Sequence, residues 1–170
     1  MTPVSPYFAE RAEDLLSLEQ IAKISGLDFI CGIAEGRYPA PPIARTLSYR
    51  MVEVEEGRVV FRGQPDFTHY NPIGTVHGGW FGTLLDSCMA CAVQTCLPAG
   101  TSYTTLEYKL NILRPAFEST GPLDAIGEAI HVGRRTATAE GRLVDTGGKI
   151  YATGTTTCLV MKLGQSAPSV

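Results

Sequence analysis

Residues 67–106 make a run of forty positions in which Asp86 is the only formally charged side chain. Such a stretch has to be buried along most of its length, because Trp80, Phe81, Leu84, Leu85, Met89 and Val93 each favour removal from water. Punctuation residues bound it: Gly78 and Gly79 stand before Trp80, and Leu97-Pro98-Ala99-Gly100 follows, so the sequence predicts a helix from Trp80 to about Cys96. A carboxylate in this company is costly to desolvate unless it is hydrogen-bonded or reaches a cleft. An isolated acid of this kind has a perturbable pKa, which makes Asp86 a candidate for catalysis. The plainer reading is an aspartate at a polar helix margin or capping a neighbouring backbone.

The glycines sharpen the catalytic reading. A helix that begins with glycine leaves backbone N–H groups unpaired and lets a ligand approach them closely, which suits a partly negative oxygen. His77-Gly78-Gly79 before a helix therefore reads either as an oxyanion site or as a simple tight turn. Asn71 and Gly74 precede it at close range, and Asp86 follows at fixed spacing.

This pattern of Asn71, Gly74, His77, Gly78, Gly79 and Leu84-Leu85-Asp86 resembles the signature of hotdog-fold acyl-CoA thioesterases of the phenylacetate-degradation (PaaI-like) type. The run Tyr103-Thr104-Thr105-Leu106-Glu107-Tyr108 and onward to Ala116 is similar to that family's strand after the helix. Gly133-Arg134-Arg135-Thr136 is similar to the turn leading into its later strands. The likeness covers about residues 45 to 162. It implies hydrolysis of an acyl-CoA thioester, with aromatic or short-to-medium acyl chains. It also implies active sites shared by two subunits of a homodimer, and a homotetramer built from two such dimers. In that scheme Gly78 and Gly79 face the substrate, Asp86 acts as general base or as nucleophile, and Thr105 places a hydroxyl beside Asp86, with Thr104 in its place if the register slips by one. Asn71 and His77 position the carbonyl, the thiolate or the loop itself. Arg134 and Arg135 are placed to hold the nucleotide end of CoA, since the guanidinium fork suits phosphate; the alternative is a solvated hairpin. Trp80, Phe81, Leu84 and Met89, with the N-terminal arm, are the expected lining of the acyl tunnel.

Helix geometry reaches the shared site independently. Gly78 and Asp86 lie eight residues apart, which at the helical rise is about 12 Å along the axis, too far for both to touch one carbonyl. Two such helices running in opposite directions about a two-fold axis would bring the Gly78 of one to the Asp86 of the other.

The remainder of the chain predicts an α+β domain. Ser17-Leu18-Glu19-Gln20 is a capping box opening a helix through Ile24, and Pro39, Pro41 and Pro42 separate this N-terminal helical arm, residues 1–44, from a domain over 45–163; a flexible tail is expected over 164–170. Leu47–Met51 and Arg58–Arg62 pair across Glu55-Glu56-Gly57, and four further strands fall at about 103–114, 122–132, 135–145 and 149–162. An antiparallel sheet packed on one helix results. One sheet would leave much of so apolar a helix exposed, and a partner subunit is the expected cover. Gly63, Gly127, Gly141 and Gly154 read as bends or close contacts.

Composition narrows the alternatives. A net charge of −3 with scattered signs offers no basic face for nucleic acid, and the most apolar stretch carries Asp86, Ser87, Gln94 and Pro98, so no membrane span is expected. The opening Met1-Thr2-Pro3-Val4-Ser5-Pro6 lacks the pattern of a signal peptide, which points to the cytoplasm. Cys88 and Cys91 form a C-x-x-C inside the helix rather than at its start, so they and Cys31, Cys96 and Cys158 read as packing residues. His69 and His131 lack company for a metal, and neither a metal nor a cofactor beyond the CoA of the substrate is expected. Two other classes remain: a hotdog hydratase or dehydratase, whose motif is not found, and a non-catalytic acyl-CoA or lipid-binding module.

Overall fold

The computed structural model describes residues 7–163; the expected tail at 164–170 and the opening segment 1–6 lie outside the described residues. Strands form where β-branched and aromatic residues alternate between turn signals. β1 (Tyr49–Glu55) and β2 (Arg58–Gly63) make a hairpin whose turn uses Gly57 at φ 77°. The long apolar segment is α4 (Gly78–Thr95), and β3 (Thr101–Ile112), β4 (Leu123–Val132), β5 (Thr136–Asp145) and β6 (Ile150–Lys162) follow. β3 stops at Ile112, short of the expected 114, because Arg114-Pro115 cannot continue the ladder.

The six strands form one antiparallel sheet in the order β1-β2-β4-β5-β6-β3, wrapped on α4. This is the hotdog arrangement of an α+β domain. The core lies between the helix and the inner face of the sheet, where Phe81, Leu84, Leu85 and Met89 meet Val59, Leu123, Leu143 and Ala152. Gly127 lets the two layers approach: a Cβ there would lie 2.3 Å from the Cys88 backbone, so it is a close-contact glycine and not a bend.

The N-terminal arm departs from expectation. Its capping box forms, with Ser17 Oγ accepting from the Gln20 amide at 3.3 Å and Gln20 Oε1 from the Ser17 amide at 2.9 Å. The helix it opens, α1 (Leu18–Ile21), lasts only one turn. A second helix unanticipated by sequence, α2 (Gly26–Ala34), starts at a Ser25 cap, and α3 (Pro42–Thr46) occupies the proline-rich segment expected to be a mere separator. Far from hanging off the domain, α2 packs on α4 and β1. The Gly26 amide donates to the Leu97 carbonyl at 2.9 Å. A Cβ on Gly26 would lie 1.7 Å from the Gln94 carbonyl oxygen, so only glycine permits this docking.

The arm supplies cover that was expected to need a second subunit. Within one chain α4 is buried except at Gly78, Gly79, Thr83, Asp86, Ser87, Cys91 and the positions beyond its end. What remains open on the helix is a narrow stripe of small and polar residues. Among the described residues no helix is long and apolar enough to cross a membrane.

Candidate active site

The loop before α4 is shaped by Asn71. Its side-chain amide donates to Thr75 Oγ1 at 2.8 Å, and its side-chain oxygen accepts from the amides of Ile73 at 3.1 Å and Thr75 at 3.2 Å. Gly74, at φ 87°, takes a left-handed conformation that completes the turn. Asn71 thus holds the loop, one of the roles open to it. The chain is then pinned where the Val76 amide donates to the Ala116 carbonyl and the His77 amide to the His69 carbonyl.

His77 is the N-cap of α4, its Nδ1 accepting from the Gly79 amide at 2.9 Å. An accepting Nδ1 puts the proton of the neutral ring on Nε2, on an exposed side chain. The Gly79 amide is therefore engaged, whereas the Gly78 amide has no hydrogen-bond partner among the described residues. Ile112 Cδ1 lies 3.2 Å from where a Cβ on Gly78 would be, so the missing side chain keeps that amide accessible. A free amide at the positive end of an eighteen-residue helix is suited to a developing negative oxygen.

Asp86 lies two turns further along α4. Thr105 Oγ1 donates to its Oδ1 at 3.0 Å from the facing strand β3. The ladder slips between Thr105 and Glu107, a bulge directly beside this contact, while Thr104 is exposed on the other face. Register therefore falls on Thr105. Burial pushes the Asp86 carboxyl above its ordinary value, and the Thr105 hydrogen bond opposes that shift.

Asp86 opens into a cavity of about 400 Å³ between α4 and the N-terminal arm. Its apolar walls include Phe29, Ile30, Ile33, Ile43, Met51 and Phe61. Phe29, Ile30, Ile33 and Ile43 belong to the arm, which was among the expected linings, whereas Trp80, Phe81, Leu84 and Met89 are buried in the core against the sheet. Which helix face the sheet claims is settled by packing: Met89, three residues after Asp86 and so near its side of the helix, is nevertheless buried in the core.

Among the described residues Asp86 is the only charged one in the cavity wall. Nearby, the Tyr49 and Ser87 hydroxyls share a hydrogen bond of 3.1 Å. Burial raises the Tyr49 hydroxyl, raises that of Tyr103 well above its usual range, and pushes the Cys91 thiol up to about 12. These groups stay neutral at physiological pH, and a neutral thiol is a poor nucleophile. Asp86 is thus the carboxyl among these ionisable groups of the wall.

A sequence profile of the thioesterase superfamily matches residues 73–152, the span that carries Gly78, Asp86 and Thr105. The crystal structure of a phenylacetic acid degradation-related protein from Ralstonia eutropha JMP134 superposes with a TM-score of 0.69 at 30% identity, over 80% of this chain and 99% of that one. The chain belongs to the thioesterase superfamily. A second similar structure, a variant of the phenylacetic acid degradation protein PaaI from Thermus thermophilus, is 28% identical with a TM-score of 0.63, over 69% of this chain and 97% of that one. A 1,4-dihydroxy-2-naphthoyl-CoA hydrolase from Listeria monocytogenes is 26% identical over 120 residues, 71% of this chain and 96% of the relative.

In this superfamily member the turn bearing Arg134 and Arg135 joins β4 to β5, and both side chains are exposed. The ladder carries Thr136 opposite Leu159 and Leu159 opposite Thr104, so the arginine turn sits at the same end of the sheet as Thr105. Among the described residues neither arginine enters an ion pair. His69 is buried, accepts from the Asp66 amide at 3.1 Å and stacks on Trp80, which makes it part of the loop's scaffold. Cys91 lines the cavity, unlike Cys88 and Cys158, which are core residues. Sequence reasoning missed Tyr49, Ser87 and Gln94 as wall residues. For Gln94 a signal existed: it is the lone amide side chain of the helix, one heptad plus one from Asp86 and so on nearly the same face.

Proposed function

We propose that the protein hydrolyses acyl-CoA thioesters at two equivalent sites, each shared by two protomers. One observation carries this reading: a free helix-start amide and a half-buried, cavity-facing carboxylate lie eight residues apart on one helix, about 12 Å along the axis. A single chain cannot bring both to one carbonyl. Pairing with a second copy is supported by β3, an edge strand carrying Leu106, Tyr108 and Ile112 exposed at 57%, 44% and 45%. Unpaired edges with apolar side chains invite another strand.

In the mechanism, the thioester carbonyl oxygen accepts from the Gly78 amide of one protomer. Asp86 of the other takes a proton from water as the water oxygen attacks the carbonyl carbon. The tetrahedral intermediate collapses with cleavage of the C–S bond, and the CoA thiolate leaves and takes up a proton. Direct attack by Asp86, giving an anhydride that water then opens, is the second form of the same chemistry. Thr105 orients the carboxylate in both. Asn71 and His77 hold the loop that delivers Gly78, and Arg134 and Arg135 receive the phosphates of CoA.

The acyl group enters the cavity, whose volume of about 400 Å³ admits aromatic or short-to-medium chains. An aromatic acyl-CoA is the substrate named for the Listeria relative, which supports this class. Thiol release from a panel of acyl-CoAs is the test. Turnover of several members is expected, and none at all would leave a hydratase or a binding module as the better account.

A further inference from the structure

A second recess, of about 340 Å³, lies between the N-terminal arm and the β1–β2 hairpin. Arg45 of α3, Arg50 of β1 and Arg62 of β2 line it, together with Ser48, Gln64 and Phe8. Among the described residues no carboxylate is in its wall, although the chain as a whole carries a net charge of −3. Three guanidinium groups gathered in one recess of an acidic protein call for a counter-charge.

Strand register brings two of them together. Arg50 stands directly opposite Arg62 in the β1–β2 ladder, and the next pair along is Met51 opposite Phe61. Side chains alternate along a strand, so with Tyr49 and Phe61 buried the two arginines share the face turned away from α4. Like charges directly opposite each other destabilise a ladder. Arg62 is neutralised and held in place, its Nε and Nη2 each donating to a carboxylate oxygen of Asp124 at 2.7 Å. Arg45 and Arg50 enter no ion pair among the described residues, and both are exposed. The Arg45 guanidinium lies over the Phe8 ring, 5.9 Å from its centroid. Between α3 and β1, Ser48 is the one non-glycine residue at positive φ among the described residues, 53°, and this strained turn sets an exposed serine in the wall of the recess.

We propose that this recess binds a phosphate or pyrophosphate group, with Arg45 and Arg50 as its principal ligands and Ser48 and Gln64 as neutral donors. Guanidinium groups present planar forks of N–H donors that match phosphate oxygens, and an anion between Arg50 and Arg62 turns their repulsion into shared attraction. The arginine turn is elsewhere: Arg62 pairs with Asp124 at the start of β4, and Arg134 and Arg135 follow Val132 at its end. Asp124 and Val132 are eight residues apart, about 26 Å along the strand, so no single phosphate reaches both. Neither Asp86 nor Gly78 lines the recess, and the proposal stands whether or not the hydrolytic reading does. Because Arg45 belongs to the arm and Arg50 to the sheet, the bound group ties one to the other.

The test titrates the whole protein with inorganic pyrophosphate at constant ionic strength, read by calorimetry and by Tm. Saturable binding with a rise in Tm is expected. Arg45→Ala combined with Arg50→Ala should weaken binding at least about tenfold, the worth of lost charge-assisted hydrogen bonds, whereas Arg134→Ala combined with Arg135→Ala should leave it unchanged. Arg50→Gln alone should raise Tm without pyrophosphate, by relieving the like-charge pair, and shrink the rise that pyrophosphate brings; removal of an arginine with a merely structural role would lower Tm instead. Displacement of pyrophosphate then identifies the source of the group. CoA as competitor makes it the substrate's own nucleotide, and ADP as competitor without CoA makes it a separate phosphorylated ligand; both results support the site. Absence of saturable binding, or binding undiminished in the Arg45 and Arg50 double variant, would overturn the proposal.

Discussion

Thr105 donates to Asp86 across 3.0 Å, from the edge strand to the central helix, and among the described residues it is the only side-chain hydrogen bond that the carboxylate makes. The bond opposes the effect of burial, which pushes the carboxyl up. Thr105→Val should therefore raise the Asp86 pKa further. Because the ionised form is the active one, the rate falls as pH drops through that pKa, and the acid limb of the kcat/KM profile should move to higher pH. Loss of activity should be larger at about pH 6 than at about pH 8, with Thr105→Ser restoring the wild-type profile. An unshifted limb would remove Thr105 from contact with the titrating group.

Asp86→Asn should lower kcat by on the order of 10² to 10⁴, the usual worth of a positioned acid or base. It should also raise Tm at neutral pH. A carboxyl whose pKa is higher folded than unfolded costs stability above the folded value, and that cost vanishes below the unfolded value. The gap in Tm between variant and wild type should thus be widest at about pH 7 and close as pH falls below about 3.9, the ordinary aspartate value. A variant less stable than wild type at neutral pH would contradict the burial argument.

Much of this arrangement was legible in the residues. Gly78, Gly79 and the stop at Pro98 and Gly100 bounded the central helix, and alternation between turn residues located every strand to within a few positions. Such features are local, and local physics decides them. The arm was expected to be helical, but α2, α3 and their docking were not legible, because that docking rests on a long-range event, the seating of Gly26 against Gln94 and Leu97, which no periodicity announces. The cavity wall was misassigned for a related reason: apolarity singled out Trp80 and Met89, but which helix face the sheet claims is settled only by packing.

That docking yields a prediction of its own. Gly26→Ala would force a Cβ to within 1.7 Å of the Gln94 carbonyl oxygen, so the arm must shift. A loss of stability on the order of 1–3 kcal/mol is expected, as for other forced contacts. Activity on medium-chain acyl-CoAs should fall more than activity on acetyl-CoA, because the cavity wall moves while Asp86 and Thr105 do not. Equal loss on both would mean that the arm takes no part in acyl binding.

The arginine turn is tested through the substrate's nucleotide. Arg134→Ala combined with Arg135→Ala should raise KM for CoA thioesters and spare kcat. KM for the matching pantetheine thioesters, which lack the phosphates these guanidinium groups would hold, should be unaffected. A similar change in both substrate series would return these side chains to the solvated hairpin reading.

The shared site can be tested by mixing two inactive proteins. Asn71→Ala removes the side chain that ties the loop before Gly78 together through Ile73 and Thr75, and Asp86→Ala removes the carboxylate two turns along the helix. If each site draws the loop from one chain and the carboxylate from its partner, a mixed dimer gathers both defects in one site and leaves the other intact. Random exchange of equal amounts makes about half of the dimers mixed, so activity should recover to about a quarter of wild type. Differently tagged chains that co-purify establish that exchange took place. A site complete within one chain would give no recovery, since every protomer would carry its own defect whatever its partner. Exchange without renewed thiol release would therefore separate Gly78 from Asp86 and refute the two-protomer mechanism.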